Sequence, residues 1–261
     1  MIDRAIAGLL VAALIAAAAW RARALSTSGA AAATVVGAIT VAAGWAWGVL
    51  LIAFFVASTA LSHWRAGIKA ARTGAIVAKG GARDAWQVLA NGGVFAAAAL
   101  LSLAAPSSAW RLLGAGALAA AAADTWGTEV GTLAAGPPRL ITTWRRVPAG
   151  TSGAVSPVGI AASVAGALFV AAVALLAGWP PRAAAAALAG GVAGALADSL
   201  LGARWQARRR CPACDAGTER DIHGCGTPTE RAGGVAWLDN DVVNVLSGVV
   251  GGAVGVLIGL A

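Results

Sequence analysis

Asp124 and Glu129 stand in the run Ala-Ala-Asp-Thr-Trp-Gly-Thr-Glu-Val-Gly (122–131), inside a stretch otherwise apolar enough to cross a bilayer. An ionised carboxylate at membrane depth costs about 2.5–3.5 kcal/mol even on lenient insertion scales. Two of them persist there only where they face protein, water or a bound cation. Asp124 and Thr128 are four residues apart, as are Thr125 and Glu129, so each pair stacks on one helix face. Gly127 and Gly131 leave room beside them. A third carboxylate, Asp198, belongs to the stripe Gly190, Gly194, Asp198, Gly202, again at intervals of four. Three carboxylates sharing a site repel one another unless protonated or bridged by a cation. An all-oxygen donor set that works with water and phosphate suits Mg²⁺, with Asp124, Glu129 and Asp198 as its expected ligands.

Further polar groups accompany these acids. Gln87 and Asn91 open one apolar run, four residues apart, and Asn240 and Asn244 open another, flanked by Asp239 and Asp241. Amides of this kind either pack helices together or bind phosphate and base groups. The segment from Arg139 through Arg145 and Arg146 to Gly150-Thr151-Ser152-Gly153-Ala154-Val155-Ser156 joins arginines to a Gly/Ser/Thr-rich turn ahead of a helix. The backbone N–H groups of such a turn form an anion cradle. Neither Gly-Lys-Ser nor Gly-Lys-Thr occurs, so it is not a Walker A loop. Cys211-Pro-Ala-Cys214, His223 and Cys225 have zinc-knuckle proportions. Their two readings are a structural zinc site and spare thiols in a reducing compartment; four protein ligands leave no open position for catalysis.

The elements that must position these groups are membrane helices. Of 261 residues 59% are hydrophobic and only 11% charged, against about 25% charged in a soluble domain. The net charge of +8 is assigned to basic loops, not to nucleic acid. Arg21 and Arg23 directly follow the first apolar run, which therefore reads as a helix, not a cleaved signal. Apolar runs cover about 3–20, 27–43, 46–62, 86–104, 109–134, 156–177, 182–203 and 240–260. The expectation is an all-α polytopic bundle of about eight transmembrane helices forming one domain over 1–261, with 204–236 as a loop carrying the Cys/His cluster. Seven or nine spans stay open, because the second and third runs are separated only by Ala43-Gly44-Trp45, as a hairpin or a re-entrant pair.

Eight spans put sixteen Arg/Lys on one side and three (Arg4, Arg111, Arg182) on the other. The basic side is expected to be cytoplasmic. All the polar residues named above then lie toward the cytoplasmic leaflet. Of the eleven Trp, Trp20, Trp45, Trp47, Trp64, Trp110, Trp179, Trp205 and Trp237 fall near span ends and are expected as interfacial anchors. Trp126, between the acids, either packs or flanks a substrate.

Ala-Asp-Thr-Trp-Gly-Thr-Glu-Val-Gly (123–131), Pro-Arg-Leu-Ile-Thr-Thr (138–143), Gly-Thr-Ser-Gly-Ala-Val-Ser (150–156), Ala-Asp-Ser-Leu-Leu-Gly-Ala (197–203) and Asp239 to Asn244 resemble one membrane family. It includes plant phytyl-phosphate kinase and transmembrane protein 19, and is distantly similar to the CTP-dependent phytol and dolichol kinases. The resemblance implies Mg²⁺-dependent transfer of a nucleotide γ-phosphate, with CTP the expected donor, to an isoprenoid monophosphate. By position it carries over Asp124, Glu129, Asp198 and the 150–156 loop. The partners it implies are a membrane lipid and a nucleoside triphosphate, in a prokaryotic plasma membrane with the site facing the cytoplasm; homo-oligomerisation stays open. Prenyl alcohol kinase and a transporter or flippase for a phosphorylated lipid or ion are the competing readings. Transporters, however, usually show repeated halves and midplane sites.

Overall fold

The computed structural model describes residues 2–261. Among them run α1 (Ile2–Arg21), α2 (Thr27–Ala43), α3 (Trp45–His63), α4 (Ala66–Thr73), α5 (Ala85–Ala104), α6 (Ser108–Gly131), α7 (Pro157–Leu176), α8 (Pro181–Arg204) and α9 (Asn240–Leu260). Short strands β1 (Arg139–Leu140) and β2 (Ala154–Val155) pair antiparallel, and β3 (Arg208–Cys211) lies between β4 (Ala216–Thr218) and β5 (Glu230–Gly233).

All eight expected spans are helices. Six are long and apolar enough to cross a membrane. Of the other two, α2 has only 17 residues, and α6 is diluted by Arg111, Asp124 and Glu129. The Ala43-Gly44-Trp45 junction is a tight turn between two helices. Gly44 (φ +157°) ends α2, donating its N–H to the carbonyls of Thr40 and Val41, and starts α3. The amphipathic α4 was not expected; its eight residues are too few to stand out as a period.

The connections alternate as the charge census requires. Segments 22–26, 64–84, 132–156 and 205–239 meet at one end: Ser26 N donates to Arg83 O, Arg72 Nη1 to Thr132 O, and Glu219 N to Ile76 O. The opposite end has only turns. Trp47 and Trp179 depart from the anchor expectation: both are buried, with ring centroids 4.8 Å apart. Gly114 makes the space, since a Cβ there would lie 2.6 Å from the Trp47 ring. Trp20, Trp45, Trp64, Trp205 and Trp237 are exposed, as interfacial anchors are.

At the centre stands α6, whose run Ala115–Ala123 is wholly buried by α5, α7, α8 and α9. Backbones approach closely because side chains there are small. A Cβ on Gly116 would sit 2.2 Å from Gly251 O, and one on Gly190 2.3 Å from the same oxygen. The three glycines form a contact among α6, α8 and α9 that admits no methyl. Farther out, α1 packs chiefly on α2, and α2 on α5.

Candidate functional site

The acidic turns of α6 and α8 end at the same face of the bundle, and the Asp124 and Asp198 carboxyl groups lie within hydrogen-bonding reach of each other. Asp198 Oδ2 is buried with no hydrogen-bond partner. Native interiors rarely leave a polar atom in that state, and a bound ion or water is the usual completion. Gly194, one turn before Asp198, packs directly on Ala120 and on the Ser247 carbonyl, which holds α6, α8 and α9 together beneath the pair.

Glu129 is not part of this pair. Five residues along α6 turn it about 140° away from Asp124, where it forms an ion pair with the buried Lys69 of α4 and accepts a 2.6 Å hydrogen bond from Ser62 Oγ. Lys69 also donates to the carbonyls of Leu61 and Ser62. Of the three carboxylates expected together, the structure brings two into one place and pairs the third with a lysine. The physical reason is α4, whose lysine supplies the counter-charge a cation would otherwise bring.

A different acid approaches the pair. Glu219, at the end of β4, accepts from Ser152 Oγ and, at 2.8 Å, from Gln206 Nε2, and its charge acts on Asp198. Burial pushes the Glu219 carboxyl above its usual range, against the downward pull of Ser152 and the Ala78 N–H. Nothing in the polar segment 205–239 marked Glu219 at the level of sequence. Its burial arises because the β3–β5 sheet folds back over the bundle: Thr218 Oγ1 donates to Ala75 O, and Arg220 Nη1 to Gly74 O.

The 150–156 loop lies on the end of α8. Gly150 and Gly153 adopt φ of +90° and +74°, and a Cβ on Gly153 would meet Ala203 and Ser199 O at 2.5 Å. Glycine is required there on both counts. Ser152 reaches Glu219, whereas Thr151 bonds Pro148 O and Ser156 caps α7 by accepting from Gly159 N. Arg145 and Arg146 are exposed and form no ion pair among the described residues. Trp126 stacks on Phe169, with centroids 5.3 Å apart, and so packs.

Other expected residues fall elsewhere. Gln87 forms a capping box with Asp84, Asn91 donates to Gln87 O, and both line an apolar cavity together with Thr125. Thr128 and Asn240 are exposed, and Asn244 is half-buried in the second turn of α9. Asp241, expected at the rim, is buried and paired at 2.5 Å with Lys79, which also reaches Asp84 at 3.0 Å.

The Cys/His expectation gains geometry. One ligand atom each from Cys211, Cys214, His223 and Cys225 lies within 4.8 Å of all the others. Cys211 Sγ and Cys225 Sγ are 3.6 Å apart, and His223 Nδ1 is 3.2 Å from Cys225 Sγ. Tetrahedral zinc with bonds of about 2.0–2.3 Å separates its ligands by comparable amounts. Contacts from Thr227 and His223 pull the Cys225 thiol down to about 5, supplying the thiolate that metal needs; the neighbouring Cys225 sulfur pushes Cys214 up to about 11.

A bundle of alternating apolar helices enclosing a half-buried carboxylate pair at its basic end defines an integral membrane protein with a polar site among its helices. The chain belongs to the family described as integral membrane protein DUF92, whose pattern matches residues 10–252. It is 31% identical to Protein PGR of Arabidopsis thaliana, over 94% of this chain and 92% of that protein. Protein VTE6, chloroplastic, from the same plant, is also 31% identical, over 89% of this chain and 65% of its own length. An uncharacterized membrane protein of Methanocaldococcus jannaschii, MJ0933, is 36% identical over 53% of this chain and 47% of that one. No solved structure matches. The family agrees with the resemblance drawn from the motifs.

Proposed function

We propose that this protein is a membrane-embedded prenyl-phosphate kinase. It would transfer the γ-phosphate of a nucleoside triphosphate, CTP by resemblance, to an isoprenoid monophosphate. The observation that carries this reading is the Asp124/Asp198 pair, with its unpartnered oxygen, beneath a glycine loop at the basic end of the bundle. Facing carboxylates with an orphaned oxygen fit a divalent cation, and Asp124 and Asp198 would hold Mg²⁺. Bound there, the ion would neutralise charge on the transferring phosphate.

The chain's own residues would do the rest. An oxygen of the lipid phosphate bonds to the γ-phosphorus as the bond to the β–γ bridging oxygen breaks, leaving a nucleoside diphosphate. The acceptor is already ionised, so no strong general base is needed. Gly150 and Gly153 let the loop backbone approach phosphate, and Ser152 ties that loop to Glu219 above Asp198. Arg145 and Arg146, exposed beside this loop in sequence, would meet incoming nucleotide as mobile cations. Asn240 and Asn244 at the start of α9 would hydrogen-bond phosphate or base. The excess of Arg and Lys at this end supports a cytoplasmic orientation, where nucleotide is available. We assign Cys211, Cys214, His223 and Cys225 to a structural zinc that braces the sheet carrying Glu219.

The test is purified protein assayed with Mg²⁺, each γ-labelled nucleotide, and a panel of prenyl alcohols and monophosphates. Label is expected on a prenyl diphosphate. If no lipid is labelled while Asp124→Asn abolishes a membrane flux, the transporter reading replaces this one. For zinc, one equivalent is expected in the wild type and none in Cys214→Ser; a metal-free wild type removes the assignment.

A further inference from the structure

A cavity lies across α6 from the acid pair, among α1, α2, α3 and α5. About 100 Å³ of it is open to the centres of water-sized spheres, within about 890 Å³ of non-atom space that includes open solvent at its mouth. Its walls are apolar, with Ala12, Ile15, Val36, Leu51 and Phe55 among them. Of its five polar lining side chains, Arg83, Gln87, Asn91 and Thr125 cluster toward the basic end, and Thr40, farther along α2, spends its hydroxyl on Gly37 O. Thr125 is the immediate neighbour of Asp124. Along α2 the lining runs from Ala33 to Val41, about 12 Å at 1.5 Å per residue. The shape is amphipathic, with a charged collar at one end and an apolar shaft behind it.

Arg83 is the telling residue. Its guanidinium is half-buried and donates to two neutral hydroxyls, Thr59 Oγ1 at 2.9 Å and Ser62 Oγ at 3.0 Å. Among the described residues it forms no ion pair. The acid whose charge acts on it, Glu129, lies beyond Ser62 and is already paired with Lys69. A guanidinium has five donors, and a cation withdrawn from water is costly unless an anion completes it. A lipid whose single apolar chain fills the shaft would bring its phosphate to this arginine.

On the kinase reading above, we propose that this cavity is the acceptor-lipid site: it takes one isoprenoid chain between α1, α2, α3 and α5, with the phosphate on Arg83 beside Thr125. Asn91 and Gln87 complete the collar. Chain length is then limited by the α2/α3/α5 wall, where Gly92 is the opening. A Cβ at Gly92 meets nothing closer than Val36 Cγ1 at 3.4 Å and Leu51 Cδ1 at 3.9 Å. A methyl fits there, whereas the remainder of a leucine must occupy the shaft.

The experiment is photolabelling of the full chain in detergent with a farnesyl-length prenyl monophosphate carrying a diazirine at its tail, mapped by peptide mass spectrometry. Label is expected on α1, α2 or α3. Geranylgeranyl phosphate should compete at least tenfold better than geranylgeraniol or two-chain phosphatidic acid. Arg83→Gln should remove that advantage of the phosphate, and Arg83→Lys should keep part of it. Gly92→Leu should weaken competition by geranylgeranyl phosphate at least tenfold relative to geranyl phosphate, while Gly92→Ala, the folding control, should not. Label on α7, α8 or α9, equal competition by phosphatidic acid, or an unchanged chain-length profile in a folded Gly92→Leu protein overturns the proposal. Labelling needs no turnover. Label in the cavity of a protein that phosphorylates no lipid therefore sinks the kinase alone, and label elsewhere in an active kinase sinks the tail site alone.

Discussion

On one side of α6 the bundle is closed; on the other it is open. Toward α7, α8 and α9, glycines at 116, 190 and 251 bring three backbones to distances that admit no Cβ. Toward α1, α2, α3 and α5, valines, leucines and phenylalanines surround the cavity. The tight half is made by backbone contact at these glycines; the open half has close glycine contacts of its own, at Gly37 against Ala12 and Gly48 against Val41, but leaves a gap between its larger side chains. The tight half holds Asp124 against Asp198, which like charges resist. The open half spends its polarity on a collar at one end. A site that must hold charge still and also admit a chain can be divided in this way.

The comparison breaks most sharply at the carboxylates. Asp198→Asn should lower phosphoryl transfer about a thousandfold, the scale of losing one preorganised electrostatic group, without lowering the melting temperature, since it relieves repulsion. Activity above a tenth of wild type would remove Asp198 from the site. Next come the glycines. Gly190→Val should destabilise the protein by about 3 kcal/mol or more through overpacking against backbone. Gly92→Ala in the open half should shift stability by no more than about 1 kcal/mol, and upward, as helix propensity directs. Equal effects in thermal unfolding would erase the distinction between the halves.

At the boundary, Lys69→Met should cost about 1–3 kcal/mol by leaving the half-buried Glu129 without its lysine, and Lys69→Met/Glu129→Gln should recover most of it. A double variant as unstable as the single one would show that Lys69 acts through its carbonyl contacts instead. The smallest effect belongs to Lys79. Burial pulls its pKa down, but Asp241 and Asp84 outweigh it and the net shift is upward. A raised lysine contributes stability that is fully present below its unfolded value of 10.5 and lost as pH climbs through the folded value. Its ammonium is substantially exposed, so solvent screening holds the contribution below about 1 kcal/mol. Melting curves of wild type and Lys79→Met should converge above pH 10.5 and differ slightly at pH 8; a gap that widens with pH would contradict the pairing.

Much of this was legible in the chain. Every expected span is a helix, the basic connections share one end, and the Cys/His spacing gathers into a cluster. Hydropathy and charge are local properties that the bilayer reads residue by residue, so they survive without tertiary information. Other positions carry structural roles that the chain did not mark. Ser156 and Gln87, expected as binding residues, also cap helices, since a cap uses the same donors and acceptors as a ligand would. Trp47 and Trp179 stand at helix ends like anchors, yet point inward because Gly114 opens a space no linear pattern reveals.

The sequence alone determined that this is a membrane bundle of alternating helices with its acids and amides toward the basic end. Backbone groups in a bilayer must be satisfied within each helix, and charge bias orients the whole. Only the tertiary structure decided that Asp124 meets Asp198 while Glu129 meets Lys69, that Glu219 closes over the pair, and that Arg83 heads an apolar cavity. Those pairings depend on which helix faces adjoin and on contacts between residues sixty or more positions apart, which helical periodicity along one segment does not encode.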